Sequence, residues 1–480
     1  MTDVRTAEAL MRTDFVTFVH RVFLEVQPGQ AFSDTWHIQA LCFALAETGN
    51  RRRRRQIIEV PPRSLKSICA SVALVAWLLG HDPRRQIMCV SYSQELAVRF
   101  SNMTRQVLKS AWYRKLFPHT RINPEKDTER YFMTTAGGFR DATSVGGTIT
   151  GKGADLIIVD DPGKPDEMMS EAQRTAVNEW FDRTLSSRLN NKRTDGIILV
   201  MQRLHPDDLS GHVKTLDEWN VLTIPAIAVQ DERIQIGSNS WHDRREGEVL
   251  DPSREPIEVL DQQKLQMGSR DFQSQYQQDP LPANGGIIDW RWFQTFDQPP
   301  DREGTEYFQS WDMASKNTEY SDYSVCTTWA VRGGDYYLLD IFRKKLTFPE
   351  LHRATIEQAS RWPVETILVE DAAAGQQIIQ QLALYRPNRM PKPLAIKPER
   401  DKQTRLHAAS PIVEQGRVFL PLGAPWLDEL KRELIQFPTG KHDDQVDSIS
   451  QFLNYAEKRR LRGPMIVILP MFPQKARRQR

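Results

Sequence analysis

The sequence predicts an α/β chain of two patterned halves, with a parallel sheet covered by helices in the first and a mixed sheet in the second. Three observations carry this. From Gln56 to Met201, short apolar runs alternate with helix-compatible segments, as βα units of a parallel sheet do. The Pro/Gly cluster PLPANGG, residues 280–286, then breaks the pattern. Beyond it, strand-like runs joined by short turns form a meander, followed by a helix, a further strand and a closing helix.

Residues 1–50 read as helices broken at Pro28-Gly29. Trp36, His37 and Gln39 open the helix before the first strand. An aromatic ring and a glutamine there can stack on and hydrogen-bond an adenine, and Trp36 can equally be a core residue at a helix start. The strand QIIEV follows, then PPRSLKS, then an apolar segment closed by Gly80. A Lys-Ser pair, Lys66-Ser67, at a strand-to-helix turn is where a P-loop grips phosphate: the helix N-terminus offers N–H groups, the lysine reaches the outer phosphates and the serine hydroxyl suits magnesium. The glycines of the usual motif are absent, since Val60 and Leu65 stand in their places. On its own the stretch fits a phosphate site or an ordinary corner. A non-glycine at 65 either keeps φ negative, leaving the loop open without nucleotide, or accepts strain.

RRQIMCVSYS gives a second buried strand and Gln94 to about Ser110 a helix. Tyr131 to Gly153, rich in Gly and Thr, reads as short strands and loops. LIIVDDP is then a central parallel strand with two aspartates at its C-terminal end, where open α/β sheets bind ligands. Beside a P-loop, Asp160 would hold magnesium and Asp161 would orient or deprotonate the attacking water; paired aspartates can also cap a helix. The strand Gly196–Met201 ends in Gln202, which can sense a γ-phosphate or simply close a strand before a helix capped by Asp207 and Asp208. From Trp219 to about Gln278 the pattern weakens.

In the second half YFQSWD ends at Asp312, TILVED ends at Glu370, and HDDQVDS opens a helix carrying Asp443, Asp444 and Asp447. Asp447 lies three and four positions beyond the aspartate pair, on the same helix face. Acids at two strand ends and one helix, in the order meander, helix, strand, helix, form the ground plan of an RNase H-like nuclease. Two Mg²⁺ or Mn²⁺ ions there activate a water and stabilise the leaving oxygen, and such hard cations take oxygen ligands. Asp312, Glu370 and Asp444 lead this set, with Asp443 and Asp447 as further candidates.

The chain has 480 residues and a formal charge of +2, so contact with a polyanion needs local patches. Arg51 to Arg55 is an unbroken arginine run, and Tyr455 to the end carries eight Lys or Arg against one Glu. Both also fit a solvated loop and a loose tail. The four cysteines lie far apart in apolar contexts, as buried thiols of a reducing compartment do. With no visible leader and no long apolar run, a cytoplasmic protein without membrane contact is expected.

The ordered set WHIQ, PPRSLKS, LIIVDDP, VMQRLHPDDL, QQDPLPANGG, SWDMAS, ILVEDAAAG and HDDQVDS resembles the large terminase subunit of tailed bacteriophages, across most of the chain. The resemblance implies an ASCE-type P-loop ATPase domain at residues 1–279, a linker at 280–300, an RNase H-like nuclease at 301–462 and a basic tail at 463–480. It implies ATP with Mg²⁺ at Arg63, Ser64, Leu65, Lys66, Ser67, Asp160 and Gln202, with Trp36, His37 and Gln39 near the base. It gives Arg63 a contact with the γ-phosphate, and the nuclease metals to Asp312, Glu370 and the Asp443-Asp444 pair. Double-stranded DNA, the portal of a procapsid, a small terminase subunit and a ring of copies are the implied partners, in the host cytoplasm and not in the mature virion. Such motors take an arginine from a neighbouring subunit, for which Arg140 is a candidate. A helicase-nuclease would need a second set of βα repeats after residue 230, where none is seen. A transposase-like reading would leave Lys66 and Asp160 without a role.

Overall fold

The structure is a computed structural model describing residues 4–149, 151–216, 218–280, 286–314, 323–388, 390–438, 440 and 442–462. The basic tail 463–480 and residues 281–285 of PLPANGG lie outside the described residues. The chain divides into two compact units, Met1–Asn284 and Gly285–Arg480.

In the first unit, α1 (Val4–Thr13), α2 (Phe15–Val26) and α3 (Trp36–Gly49) precede β1 (Arg55–Glu59). The segment after PPRSLKS is helical as expected, but its first part, Ile68–Leu74, is wound as a π-helix before α4 (Val75–His81). There follow β2 (Gln86–Ser91), α5 (Gln94–Lys109), α6 (Ala111–Leu116), β3 (Ile122–Asp127), β4 (Tyr131–Thr134), β5 (Phe139–Ser144), β6 (Leu156–Asp160), α7 (Glu171–Trp180), β7 (Gly196–Met201), α8 (Leu209–Val213) and β8 (Asn220–Thr223). The sheet order among the described residues is β3-β4-β5-β2-β6-β7-β1-β8. Pairing is parallel from β5 to β8, as the βα alternation predicts, and β3 and β4 extend the sheet antiparallel at one edge.

The central strands are uniformly apolar because both faces are covered. Ile58, Ile87, Leu156, Ile158, Ile198 and Val200 pack on one side against α2, α3 and the helical segment 68–81. Ile57, Met88, Ile157, Val159, Ile197 and Leu199, the alternate positions, pack on the other against Val177 of α7 and Leu209 and Val213 of α8. This register brings the C-terminal ends of β1, β7 and β6 to one edge, with β7 between the other two. The weakly patterned stretch after Trp219 folds as the pair β9 (Glu232–Gln235) and β10 (Trp241–Arg244), with α9 (Ile257–Met267) and α10 (Ser269–Gln275). Its own small core is Ala226, Leu260, Phe272 and Tyr276, too sparse in sequence to show a period.

Glu59 closes β1 with a buried carboxylate that accepts from Ser210 Oγ (2.6 Å), Lys214 Nζ (2.6 Å) and Thr223 Oγ1 (2.5 Å), with Arg203 Nη1 at 3.3 Å. Burial raises its pKa, but Arg203 and Lys214 outweigh burial and hold it below the ordinary 4.5. Glu59→Gln takes the charged partner from Lys214 and one of two from Arg203, which keeps Asp208 (3.0 Å), and is expected to lower stability at pH 7 by about 1–3 kcal/mol. Because the native pKa is depressed, this stabilisation is present above pH 4.5 and is lost as pH falls through the native value. Urea melts at pH 7 and pH 4 should therefore show the gap between variant and parent closing in acid.

The second unit contains β11 (Gln294–Phe296), β12 (Glu306–Asp312), β13 (Ser324–Arg332), β14 (Asp335–Lys344), α11 (Phe348–Arg361), β15 (Thr366–Glu370), α12 (Ala373–Leu384), β16 (Leu394–Ile396), α13 (Lys402–Glu414), β17 (Val418–Pro421), α14 (Leu427–Gln436) and α15 (Asp444–Arg462). The sheet order is β11-β17-β14-β13-β12-β15-β16, with the meander antiparallel and the flanks parallel. Phe308, Trp329 and Leu368 face α13 and α15, while Trp311, Ile367 and Val369 face α11 and α12. The linker expected at 280–300 is shorter in the structure. Ile288 is buried in the second core and β11 hydrogen-bonds to β17, so residues from about 286 onward belong to the second unit.

Candidate active sites

The first site forms where β1 and β6 end. In the loop between β1 and its helix, Ser64 donates to the Pro61 carbonyl (2.8 Å), and Arg63 and Leu65 have φ of 60° and 57°. Leu65 thus takes the left-handed conformation that glycine supplies elsewhere, and the negative φ considered from sequence is not found. Each such residue stores roughly 1–3 kcal/mol of strain. Leu65 offsets part of this by packing on the first core. Leu65→Gly is expected to change stability by less than about 1 kcal/mol as relieved strain offsets lost packing. Leu65→Val, β-branched at positive φ, should lower the melting temperature, as thermal melts would record.

Lys66 is buried, and its Nζ lies 2.9 Å from Asp161 Oδ1. Ser67 Oγ donates to Asp160 Oδ1 (2.9 Å) and Ser71 Oγ to Asp160 Oδ2 (2.7 Å). The two halves of the expected site therefore meet in pairs, serine with the first aspartate and lysine with the second. Burial, with the charge of Asp161 next, pushes Asp160 up to about 7 against Ser71, Lys66 and Ser67. A buried carboxylate beside a serine hydroxyl is an all-oxygen donor pair, which suits Mg²⁺ and would relieve that shift. Asp161 has φ of 46°, and its carboxylate also accepts from the Gln202 backbone N–H (3.3 Å) at the end of β7.

A cleft of about 870 Å³ opens beside these residues, with Asp160 fully buried behind its lining. Arg63, Ser64, Leu65, Lys66, Ser67, Asp161, Gln202 and His37 all reach it. Trp36 and Gln39 do not. Trp36 stacks on His242 (4.4 Å, 9°) under the Arg244 guanidinium, and Gln39 turns to Asp34 (3.5 Å), so the helix face that carries them looks away from the cleft. The far wall is formed instead by Phe23, Gln27, Gln30, Arg99 and Met103. Arg254, from the segment before α9, completes the rim and donates to the Arg63 carbonyl. Gln27 and Gln30 flank the Pro28-Gly29 break, the one signal in the sequence that could have drawn attention to them.

Arg140 is not available to a neighbouring subunit. Its side chain is fully buried on β5, donating to the Ser71 carbonyl (3.3 Å) behind Asp160. Arg51 of the arginine run pairs with Asp195 (3.3 Å) and Arg52 with Glu47 (2.7 Å).

The second site lies on the second sheet. β12 and β15 are parallel neighbours with Trp311 opposite Val369, so Asp312 and Glu370 leave the same edge. Asp443, Asp444 and Asp447, at the start of α15, join them around a pocket of about 200 Å³ that also contains Lys402 and Tyr323. Burial first, then the charges of Asp447, Glu370 and Asp444, hold the Asp312 carboxyl well above the usual range. Lys402 Nζ lies 2.7 Å from both Asp443 Oδ1 and Asp447 Oδ2. Arg405 bridges Glu370 Oε2 (3.1 Å) and Asp447 Oδ1 (2.9 Å). Among the described residues, no three acids converge closely enough to hold a metal; Lys402 stands between Asp443 and Asp447, and Arg405 between Glu370 and Asp447. The oxygen-only donor set and the crowded charge at Asp312 nonetheless fit hard divalent ions. The sequence pattern did not reveal Lys402 and Arg405, which come from a helix remote from every acid they touch.

Among the described residues no helix is long and apolar enough to cross a membrane. Curated proteins give no match to the sequence. Residues 309–456 match the profile of the terminase RNaseH-like domain. Among solved structures, the large terminase of a thermophilic bacteriophage in complex with ATP-gamma-S aligns at 13% identity and TM-score 0.52, over 88% of this chain and 99% of that one. The ADP complex of the same phage protein aligns at 13% identity and TM-score 0.50 with the same shares covered. The chain thus carries a terminase RNaseH-like domain in its second unit and, over most of its length, the fold of a phage large terminase.

Proposed function

We propose that this chain is the ATP-driven motor that threads double-stranded DNA through the portal of an empty capsid and cuts concatemeric DNA when packaging starts and ends. The observation that carries it is one chain holding both the Lys66-Ser67 with Asp160-Asp161 arrangement and the Asp312, Glu370, Asp444 cluster, in the large terminase fold.

In the first unit Lys66 and Arg63 bind the outer phosphates of ATP. Ser67 and Asp160 would hold Mg²⁺, which supplies charge neutralisation on those phosphates. Asp161, paired with Lys66 until phosphate takes the lysine, is then released to orient the attacking water. Gln202 shares that carboxylate through its backbone N–H and reads whether the site is filled. Arg203 N donates to Gln278 Oε1 (2.9 Å), which ties the same strand end to the segment after α10. Hydrolysis thus has a path of packed groups from the cleft to the small core that α9 and α10 help to build. ATP use is supported by the relative whose structures carry ADP and ATP-gamma-S.

In the second unit Asp312, Glu370 and Asp444, with Asp443, would hold two Mg²⁺ or Mn²⁺ ions, which activate water and stabilise the leaving oxygen. Both oxygens of Asp447 are ion-paired, which makes it a brace and not a ligand in this arrangement. A ring of copies on the portal, a small subunit that selects DNA and a cytoplasmic life cycle complete the reading. The test is a packaging reaction with the purified chain, procapsids bearing their portal, linear DNA, ATP and Mg²⁺. ATP-dependent protection of DNA from nuclease is the expected result; absence of ATP hydrolysis with DNA and procapsids present would overturn the motor.

A further inference from the structure

The nuclease-side pocket contains more cation than a site built only to be filled by metal requires. Lys402 and Arg405 lie one turn apart on one face of α13 and reach three of the five acids. Lys402 is the first residue of that helix, fixed there by its cap: Asp401 accepts from Thr404 N (2.9 Å). A lysine at a helix N-terminus sits against the helix dipole, so local helix chemistry does not favour it. Its place is explained by the carboxylates across from it.

The two cations differ in freedom. The Arg405 side chain is 14% exposed and its fork is committed to Glu370 and Asp447. The Lys402 side chain is 47% exposed, and it holds Asp443 and Asp447 by a single ammonium at 2.7 Å. A compact ammonium on a flexible stem can leave for solvent, whereas a planar fork held at two points cannot without abandoning both. Across the pocket, Asp312 faces the remaining acids, and Arg343 stands 3.8 Å from Asp444.

We propose that Lys402 is a displaceable counter-ion of the nuclease site, occupying the place of a divalent ion on Asp443 until metal loading drives it out, and that Arg405 is the fixed brace that orients Glu370 and Asp447. This rests on the nuclease reading above. Its consequence is a nuclease that is latent at low metal concentration: the lysine keeps the acids folded together without metal and raises the concentration at which the second ion binds. Lys402 is thereby a positioning residue, and its removal acts on metal affinity before it acts on the cutting step.

The experiment is a Mn²⁺ titration of the full chain without nucleotide, with free Mn²⁺ followed by electron paramagnetic resonance. The difference between the parent and Asp312→Asn isolates ions bound at the nuclease site. Lys402→Met is expected to tighten that binding by about tenfold, because a unit positive charge within a few ångströms has been removed. Lys402→Arg is expected to stay within about threefold of the parent, since charge is retained. Melts in EDTA should show Lys402→Met less stable than the parent, with Mn²⁺ restoring it. Unchanged or weaker Mn²⁺ binding in Lys402→Met, or a loss of stability that Mn²⁺ does not restore, overturns the counter-ion role while leaving the metal site standing. Equal Mn²⁺ binding by the parent and Asp312→Asn would instead overturn the metal site itself.

Discussion

Lys66→Ala is expected to lower ATP hydrolysis by about a hundred- to a thousandfold, the loss found when one preorganised charge aimed at the reacting centre is removed. The geometry makes the effect large. Lys66 is buried at the base of the cleft, and its ammonium stands between the phosphate loop and Asp161. Among the described residues, the loop lines the cleft with one other positive charge, Arg63, whose backbone is already held at positive φ. Alanine also leaves Asp161 without its ion pair, but that side chain is 26% exposed and water can solvate it, so the unit should still fold. Lys66→Arg should not rescue, since a buried point charge is replaced by a wider planar group. Metal-dependent cutting by the second unit should persist in both variants. A packaging assay, an ATPase assay and a plasmid-cutting assay on the same preparations check the three statements. Hydrolysis within a few-fold of the parent would remove Lys66 from the machinery.

How much of this was legible in the sequence depends on which physical signal each residue leaves. Both sheets were readable because buried parallel strands are apolar without interruption, as LIIVD and GIILV are, and because the Gly333-Gly334 turn joins two strand-like runs of the meander. The pairing of Ser67 with Asp160 followed from the same logic, since strand ends in one sheet share an edge. Direction around a helix was not readable at its first turn: His37 enters the cleft while Trp36, one residue earlier, goes to His242. Arg140 misled because FRDATS is polar without an apolar period, yet every residue from Phe139 to Thr143 is buried. The rule that a phosphate loop wants glycine failed at Leu65 for a reason visible only in three dimensions, where packing on the first core offsets the strained backbone. Lys402 and Arg405 leave no local signal, because a cation that serves acids remote in sequence looks like any surface residue of an amphipathic helix.

Asp312→Asn is expected to abolish metal-dependent cutting, by at least about a hundredfold, and at the same time to make the metal-free protein more stable. Asparagine keeps the shape and removes the charge. Asp312 lies at a strand end against Glu370, Asp444 and Asp447, and burial followed by those three charges holds its carboxyl well above the usual range. A carboxyl raised in the native state binds its proton more tightly there than in the unfolded chain. The parent therefore loses stability as pH rises beyond the ordinary value of 3.8, and the asparagine variant lacks this loss. In EDTA the melting temperature of Asp312→Asn should exceed that of the parent at pH 8, with the two converging toward pH 4. Divalent metal should close the gap from the other side by stabilising the parent alone. Loss of cutting with a lower melting temperature at pH 8 would mean that Asp312 holds the fold and does not serve the metal. Loss of cutting with a higher one is the mark of a residue kept for chemistry at a cost to stability, and ATP hydrolysis unchanged in the same variant would confine that chemistry to the second unit.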